Sequence, residues 1–455
     1  MKDLTKGTPA KLIFMFTIPL FVGNIFQQFY NMVDMIIVGQ TIGKDALAAV
    51  GSTGSITFLI IGFAQGLTAG LSIITAQRFG AKDYKGVKKS FAASLVISLI
   101  VTLLLTILSL IFLEPLLHIM QTPPEIFEQA QEFISVILGG MFAAMAFNLL
   151  SNMVRALGDS RTPLFFLIFA VIINVILDLV FITKFNMGVA GAGYATVIAQ
   201  MSASLMCFVY IKRRIPLLQI SKKDFKALKA EYRVHLNAGL PMAFQASIIA
   251  IGAVILQSAL NSLGTDAVAA QAAAGRIDQF ATQPMMSFGV TMATFTAQNY
   301  GAKEYGRILE GVKQCLIMSI IFSIIAGIVV ILFGDSFVAL FVNRSETKVF
   351  ELARIYFLIV ASLYWILAIL FILRYTLQGL GQTKIPTIAG IMELIMRSFA
   401  AIVLTHYFQY PGAAAASPLA WAGSVIVLLY SYIKAMKDLR RLDQEQKVQL
   451  PNETP

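Results

Sequence analysis

Apolar runs of roughly 20 residues, the length of a membrane-crossing helix, recur along the chain with short polar stretches between them. The first run is nearly unbroken: between Lys11 and Lys44 the only charge is Asp34, in "YNMVDMIIVGQ". Twelve such runs predict twelve helical spans, near 12–39, 47–76, 90–113, 131–153, 163–183, 189–211, 236–262, 267–297, 314–341, 351–379, 386–408 and 413–433. The polar stretches alternate in charge. Of the 35 Lys and Arg residues, 27 fall in segments that twelve spans place on one side, and only Lys44, Lys184, Arg344 and Lys348 fall in segments on the other. Positive charge stays on the cytoplasmic side of a membrane protein, so both ends are expected inside.

Composition agrees. The 455 residues are 58% hydrophobic and 13% charged, against about a quarter charged for soluble domains. The net charge of +11 sits between apolar runs and suits anionic lipid; it does not form the basic face that nucleic-acid binding needs. The apolar start is too long for a removable leader. Cys207 and Cys315 both fall inside apolar runs and read as free, buried thiols. The three histidines, His118, His235 and His406, are far apart, so no metal cluster is expected. The stretch 212–235 is the longest polar connector. It reads either as a short amphipathic helix on the membrane or as a plain linker.

The chain also repeats itself. "IGKDALAAVG" at 42 matches "LGTDAVAAQA" at 263, and "TAQRFGAKDY" at 75 matches "TAQNYGAKEY" at 296, both 221 residues on. "LGDSRTP" at 157 matches "LGQTKIP" at 380, 223 residues on. These matches predict two six-helix halves of the same topology, 8–211 and 236–436, joined by the 212–235 connector and followed by a cytoplasmic tail, 437–455. Paired repeats are a transporter plan, in which one half rocks against the other. The offsets also set Asp34 against Ile255, Asn174 against Arg397, and Asp178 against Ala401. The halves share a frame and differ in chemistry.

An ionisable side chain at membrane depth costs about 2.5–3.5 kcal/mol on insertion scales and persists where it faces a cavity or a partner. In the first half, Tyr30 and Asp34 share a helix face, with Gln27 one turn away. Asn174 with Asp178, Thr196 with Gln200, and Asn148 with Asn152 form three further face-sharing pairs. The neutral members either line a cavity or only bond neighbouring helices. The two aspartates, if brought together, could take up a proton or hold Na⁺. In the second half, Glu393 and Arg397 are spaced for an ion pair on one helix, while Arg276 and Asp278, two apart, must each find a partner elsewhere. Met285 and Met286 belong to a methionine-rich region suited to a promiscuous apolar surface. Gly62, Gly66 and Gly70 make a close-packing stripe, and Pro19 and Pro241 permit kinks in the first helix of each half. No P-loop or GxSxG motif is present, so an ion gradient is the expected energy source.

With "VDMIIVG" closing the first helix, "RALGDSRTP", "NVILDLVFI" and "TAQNYGA", the chain from about 8 to 436 resembles the multidrug and toxic compound extrusion (MATE) transporters, and within them the prokaryotic DinF-type branch. The resemblance implies an all-α polytopic fold of two six-helix bundles in a V. It implies export of small lipophilic, often cationic drugs in exchange for H⁺ or Na⁺, across the bacterial inner membrane, with no other cofactor. Tyr30, Asp34, Asn174, Asp178 and Thr196 match the positions lining that branch's cation site, Na⁺ falling to Asp34, Asn174 and Asp178. Pro19 matches the proline at which the first helix bends. Leu179 stands where many relatives have proline. The expected partners are drugs and bilayer, with no nucleic acid, the chain acting as a monomer. Two other functions compete: a flippase for a lipid-linked saccharide, which would want buried cations such as Arg276 and Arg397, and an intramembrane lipid enzyme, which would need a nucleophile with its base or a metal motif that the sequence lacks.

Overall fold

The computed structural model describes residues 3–120, 122–226 and 229–449, and every element in it is helical. The principal helices are α1 (Pro9–Thr41), α2 (Asp45–Gly80), α3 (Tyr84–Ile111), α4 (Pro124–Gly139 and Met141–Ala156, bent by 44°), α5 (Arg161–Lys184) and α6 (Gly188–Arg214). The second half continues with α7 (Lys229–Asn261), α8 (Thr265–Gly301), α9 (Tyr305–Val338), α10 (Thr347–Gly379), α11 (Lys384–Phe408) and α12 (Tyr410–Val448).

Among the described residues, ten of these are long and apolar enough to cross a membrane, or eleven if bent α4 is one span. The remaining run, 267–297, forms α8, 37 residues long. At about 1.5 Å per residue it could cross. It fails only on polarity, because Gln271, Arg276, Asp278, Gln279 and Gln283 replace apolar residues. The most apolar helices leave broad faces uncovered, such as Leu99, Leu103 and Ile107 on α3 and Ile321, Ile328 and Leu332 on α9. Such faces suit hydrocarbon, not water.

The repeat extends to the irregular points of the backbone. Left-handed residues recur at Lys82 and Lys303, at Asn186 and Gln409, and at Gly158 and Gly381. Gly43 and Gly264 enter α2 and α8 at φ 124° and 97°, a region costly for any residue with a Cβ. A single π-helical turn closes the straight part of α5 at Val180–Lys184 and of α11 at Ala400–Leu404. In α5 this wide turn follows Leu179.

Contacts divide the chain into two compact units: Val22–Ser247, and Asp3–Phe21 together with Ile248 onward. Both cuts fall inside helices, α1 and α7, rather than in the 212–235 connector. The reason is packing. Leu4, Ile13, Phe16 and Leu20 are buried in the apolar core that holds Phe288, Phe295 and Tyr364. The Leu4 N–H donates to Gln298 Oε1 (3.0 Å), and Arg307 donates to the carbonyls of Gly7 (2.8 Å) and Leu4 (3.2 Å). In the first unit the start of α7 is held similarly. Glu231 pairs with Arg78 at 2.7 Å, and buried His235 bonds Ser90 at 2.6 Å. The glycine stripe closes this contact: a Cβ on Gly66 would stand 2.5 Å from the Met242 carbonyl, and one on Gly70 2.6 Å from the Gly239 Cα.

Among its described residues the connector has no separate α-helix: its ends belong to α6 and α7, and between them lies only a 3-10 turn at Pro216–Leu218. Ile215 and Leu218 are buried in the first unit's core, which takes up the apolar side chains an amphipathic helix would have given to lipid. Its exposed turn is fixed by Asp224, which accepts from the Ser221 N–H (2.7 Å) and hydroxyl (2.9 Å); these bonds hold its carboxyl below the usual range. The tail remains helical to residue 449, and Asp443 ties it to α9 by accepting from the Gly306 N–H at 3.1 Å.

Candidate functional site

The first unit buries a small cluster of oxygen atoms where α1, α5 and α6 meet. Asn174 and Asp178 stand one turn apart on α5 and are wholly buried. With the Asn174 amide oriented so that each atom meets a complementary partner, its nitrogen donates to Asp178 Oδ2 (2.8 Å) and its oxygen accepts from the Thr196 N–H (3.2 Å). The Tyr30 hydroxyl lies 3.0 Å from the Thr196 hydroxyl. One turn along α1 from Tyr30, the Asp34 side chain interacts directly with that of Asp178. Tyr30, Asp34, Asn174, Asp178 and Thr196 are thus brought together.

Two bare carboxylates in contact repel, by about 4 kcal/mol for unit charges 4 Å apart at an effective dielectric of 20. The contact calls for a proton shared between them or a cation beside them. Oδ1 of each aspartate is buried without a hydrogen-bond partner, so acceptor capacity remains. An all-oxygen set suits H⁺ or a hard cation such as Na⁺ and does not suit a soft transition metal. Among the described residues no group of three His, Cys, Asp or Glu could hold a metal ion.

The other expected residues are placed less centrally. Gln27 and Gln200 are half-buried near the same helix faces. Asn148 bonds its own helix at the Ala144 carbonyl (2.9 Å), and Asn152 donates to the Thr68 hydroxyl on α2 (3.1 Å), so Asn152 joins two helices. Met286 is 39% exposed, but Met285 is wholly enclosed in the second unit's core; packing removes it from any accessible lining. Pro19 is buried inside α1, which stays helical through it, two residues before the cut between units.

The second unit corrects one pairing and supplies another. Glu393 does not pair with Arg397; it meets Arg374 of α10, whose Nη2 also lies 3.1 Å from Ser424. Asp278 accepts from the Tyr364 hydroxyl at 2.7 Å and from Tyr356, while Arg276 faces outward. The spacing of Glu393 and Arg397 pointed to a local pair. Nothing in the spacing marks Arg374, Tyr356 or Tyr364, which come from another helix.

Comparison with known proteins adds to this geometry. The MatE family model matches residues 19–180 and again 241–403, once in each half. The chain is 26% identical over 442 residues to the probable multidrug resistance protein YoeA of Bacillus subtilis (strain 168), covering 94% of this chain and 95% of that protein. It is 26% identical over 405 residues to the DNA damage-inducible protein F of Escherichia coli (strain K12), covering 87% and 85%. Among solved structures, a MATE protein in complex with MaL6 superposes with a TM-score of 0.88 at 24% identity, over 97% of this chain and 99% of that one. The outward-facing form of a multidrug resistance MATE transporter gives 0.87 at 24% identity, over 98% and 99%.

Proposed function

The chain belongs to the MatE family of multidrug efflux transporters, and from that premise we propose that it is a secondary antiporter whose coupling cation is held by Asp34 and Asp178. The observation that carries this reading is the direct contact of the two side chains across α1 and α5, with a buried, unpartnered oxygen left on each. A bound proton or Na⁺ offsets the repulsion and holds the two helices together; its departure leaves two charges that drive them apart. Tyr30, Asn174 and Thr196 complete the shell and orient the carboxyl groups. Lipophilic cations are the proposed substrates, since a positive charge near the two carboxyl groups would compete with the coupling ion. One charge crossing 100 mV supplies about 2.3 kcal/mol, enough to drive export. The charge asymmetry of the connecting segments supports a bacterial inner-membrane setting with both ends on the cytoplasmic side.

The test is reconstitution in vesicles with a fluorescent lipophilic cation, applying a proton gradient or a sodium gradient separately. Efflux should follow one gradient and be absent in Asp34→Asn. Undiminished efflux from that variant, in a protein that still purifies folded, removes Asp34 from the mechanism.

A further inference from the structure

The repeat places a counterpart of the aspartate site inside the second unit, and its chemistry is reversed. Ile251 and Ile255 of α7 take the places of Tyr30 and Asp34, and Arg397 and Ala401 of α11 take those of Asn174 and Asp178. The counterpart helices approach in the same way. A Cβ on Gly252 would stand 3.4 Å from Arg397 Cδ and 3.6 Å from its Nη1, so the guanidinium lies against α7 at Gly252.

This cation has no anion. Glu393 is held by Arg374, and Asp278 by the hydroxyls of Tyr364 and Tyr356. No carboxylate lies within ion-pair distance of Arg397 among the described residues, and its Nε is buried without an acceptor. Its polar neighbour is the Tyr356 phenol, which bonds Gln271 and Asp278 on its other contacts. A guanidinium keeps its charge under all ordinary conditions, and an uncompensated charge at membrane depth is costly. Among the described residues the nearby acids are already engaged, Glu393 by Arg374 and Asp278 by two tyrosines, and Arg397 itself is only half-buried. An anion from outside the chain can reach it and compensate its charge.

We propose that Arg397, backed by Tyr356, is a recognition site for an oxyanion carried on an amphipathic molecule: a carboxylate, sulfonate or phosphate group. The planar fork of arginine matches such groups with two parallel hydrogen bonds. The chain would then handle zwitterionic and acidic amphipaths as well as lipophilic cations, reading positive charge in one unit and negative charge in the other. This rests on the transporter reading above, which the ester arm of the following experiment reports separately.

The probe is a cationic xanthene dye in two forms, the free carboxylic acid and its ethyl ester, with binding followed by fluorescence polarisation on the full-length protein and efflux followed in vesicles. Arg397→Gln should weaken binding of the acid at least tenfold and change ester binding less than threefold. Arg397→Lys, which keeps the charge and so guards against misfolding, should weaken acid binding severalfold through loss of the fork. Equal effects on acid and ester, or no effect of either variant on the acid, overturn the proposal. Ester efflux that depends on Asp34 shows the transporter reading intact in either case. Adding phosphatidylglycerol separates the sources of the oxyanion. Competition with the acid but not the ester supports a lipid headgroup, and lack of competition supports a transported solute.

Discussion

Asp34 and Ile255 occupy matching places in two halves whose backbones agree even at their irregular turns, yet one is a carboxylate and the other an alkyl chain. Around Asp34 lie a second acid, an amide and two hydroxyls; one turn from Ile255, Gly252 packs against Arg397. A repeat fixes where helices cross and which positions face the crossing. It does not fix what is placed there. The first half places two carboxyl groups at the crossing and the second an arginine, so the same scaffold carries side chains of opposite charge.

The strongest way to break this comparison is to exchange the charges. Asp34→Asn should abolish coupled efflux in vesicles, and Asp34→Asn with Ile255→Asp should not restore it, because the α11 position equivalent to Asp178 is Ala401. Recovery of gradient-driven efflux in the double variant would mean that the two halves are interchangeable. The next effect concerns stability. Glu393→Gln leaves Arg374 buried without its counterion and should cost about 3–5 kcal/mol, read as a large fall in melting temperature in detergent. Asp178→Asn removes one member of a repelling pair and should leave the melting temperature unchanged or raised while stopping transport. A smaller loss is expected from Gly66→Ala, where the new methyl meets the Met242 carbonyl of α7; overpacking of this kind costs about 1–3 kcal/mol. The smallest is Tyr30→Phe, which removes one hydrogen bond to Thr196 worth about 0.5–1.5 kcal/mol. Its mark should be a severalfold shift in the gradient needed for half-maximal efflux.

Much of the fold could be read along the chain, because apolar runs, loop charge and repeated segments are all local signals. The faces of the site could be read too: Tyr30 with Asp34, and Asn174 with Asp178, follow from helical spacing alone. That α1 meets α5 face to face could not, since it depends on packing between residues 144 positions apart, Asp34 and Asp178. The Glu393 pairing shows the same limit. An i,i+4 ion pair gains only about 0.2–0.5 kcal/mol on a helix surface, too little to hold Glu393 once Arg374 stands inside the bundle. α8 shows it again, because its polar residues weaken the membrane signal although Gln271 and Asp278 are met by tyrosine hydroxyls of other helices. The cut between units inside α1 and α7 was hidden for a different reason. A repeat in sequence marks where a unit was copied, whereas contacts mark where side chains settled.

That settlement has a cost in time. Leu4 is made before its partner Gln298, which lies 294 positions further on. At elongation rates of about 5–20 residues per second, the opening segment waits roughly 15–60 seconds before the surface that receives it exists. During that interval Leu4, Ile13 and Phe16 have only lipid or a chaperone to cover them. Slowing translation between α1 and α9 should therefore lower the yield of intact protein more than the same delay placed after α9.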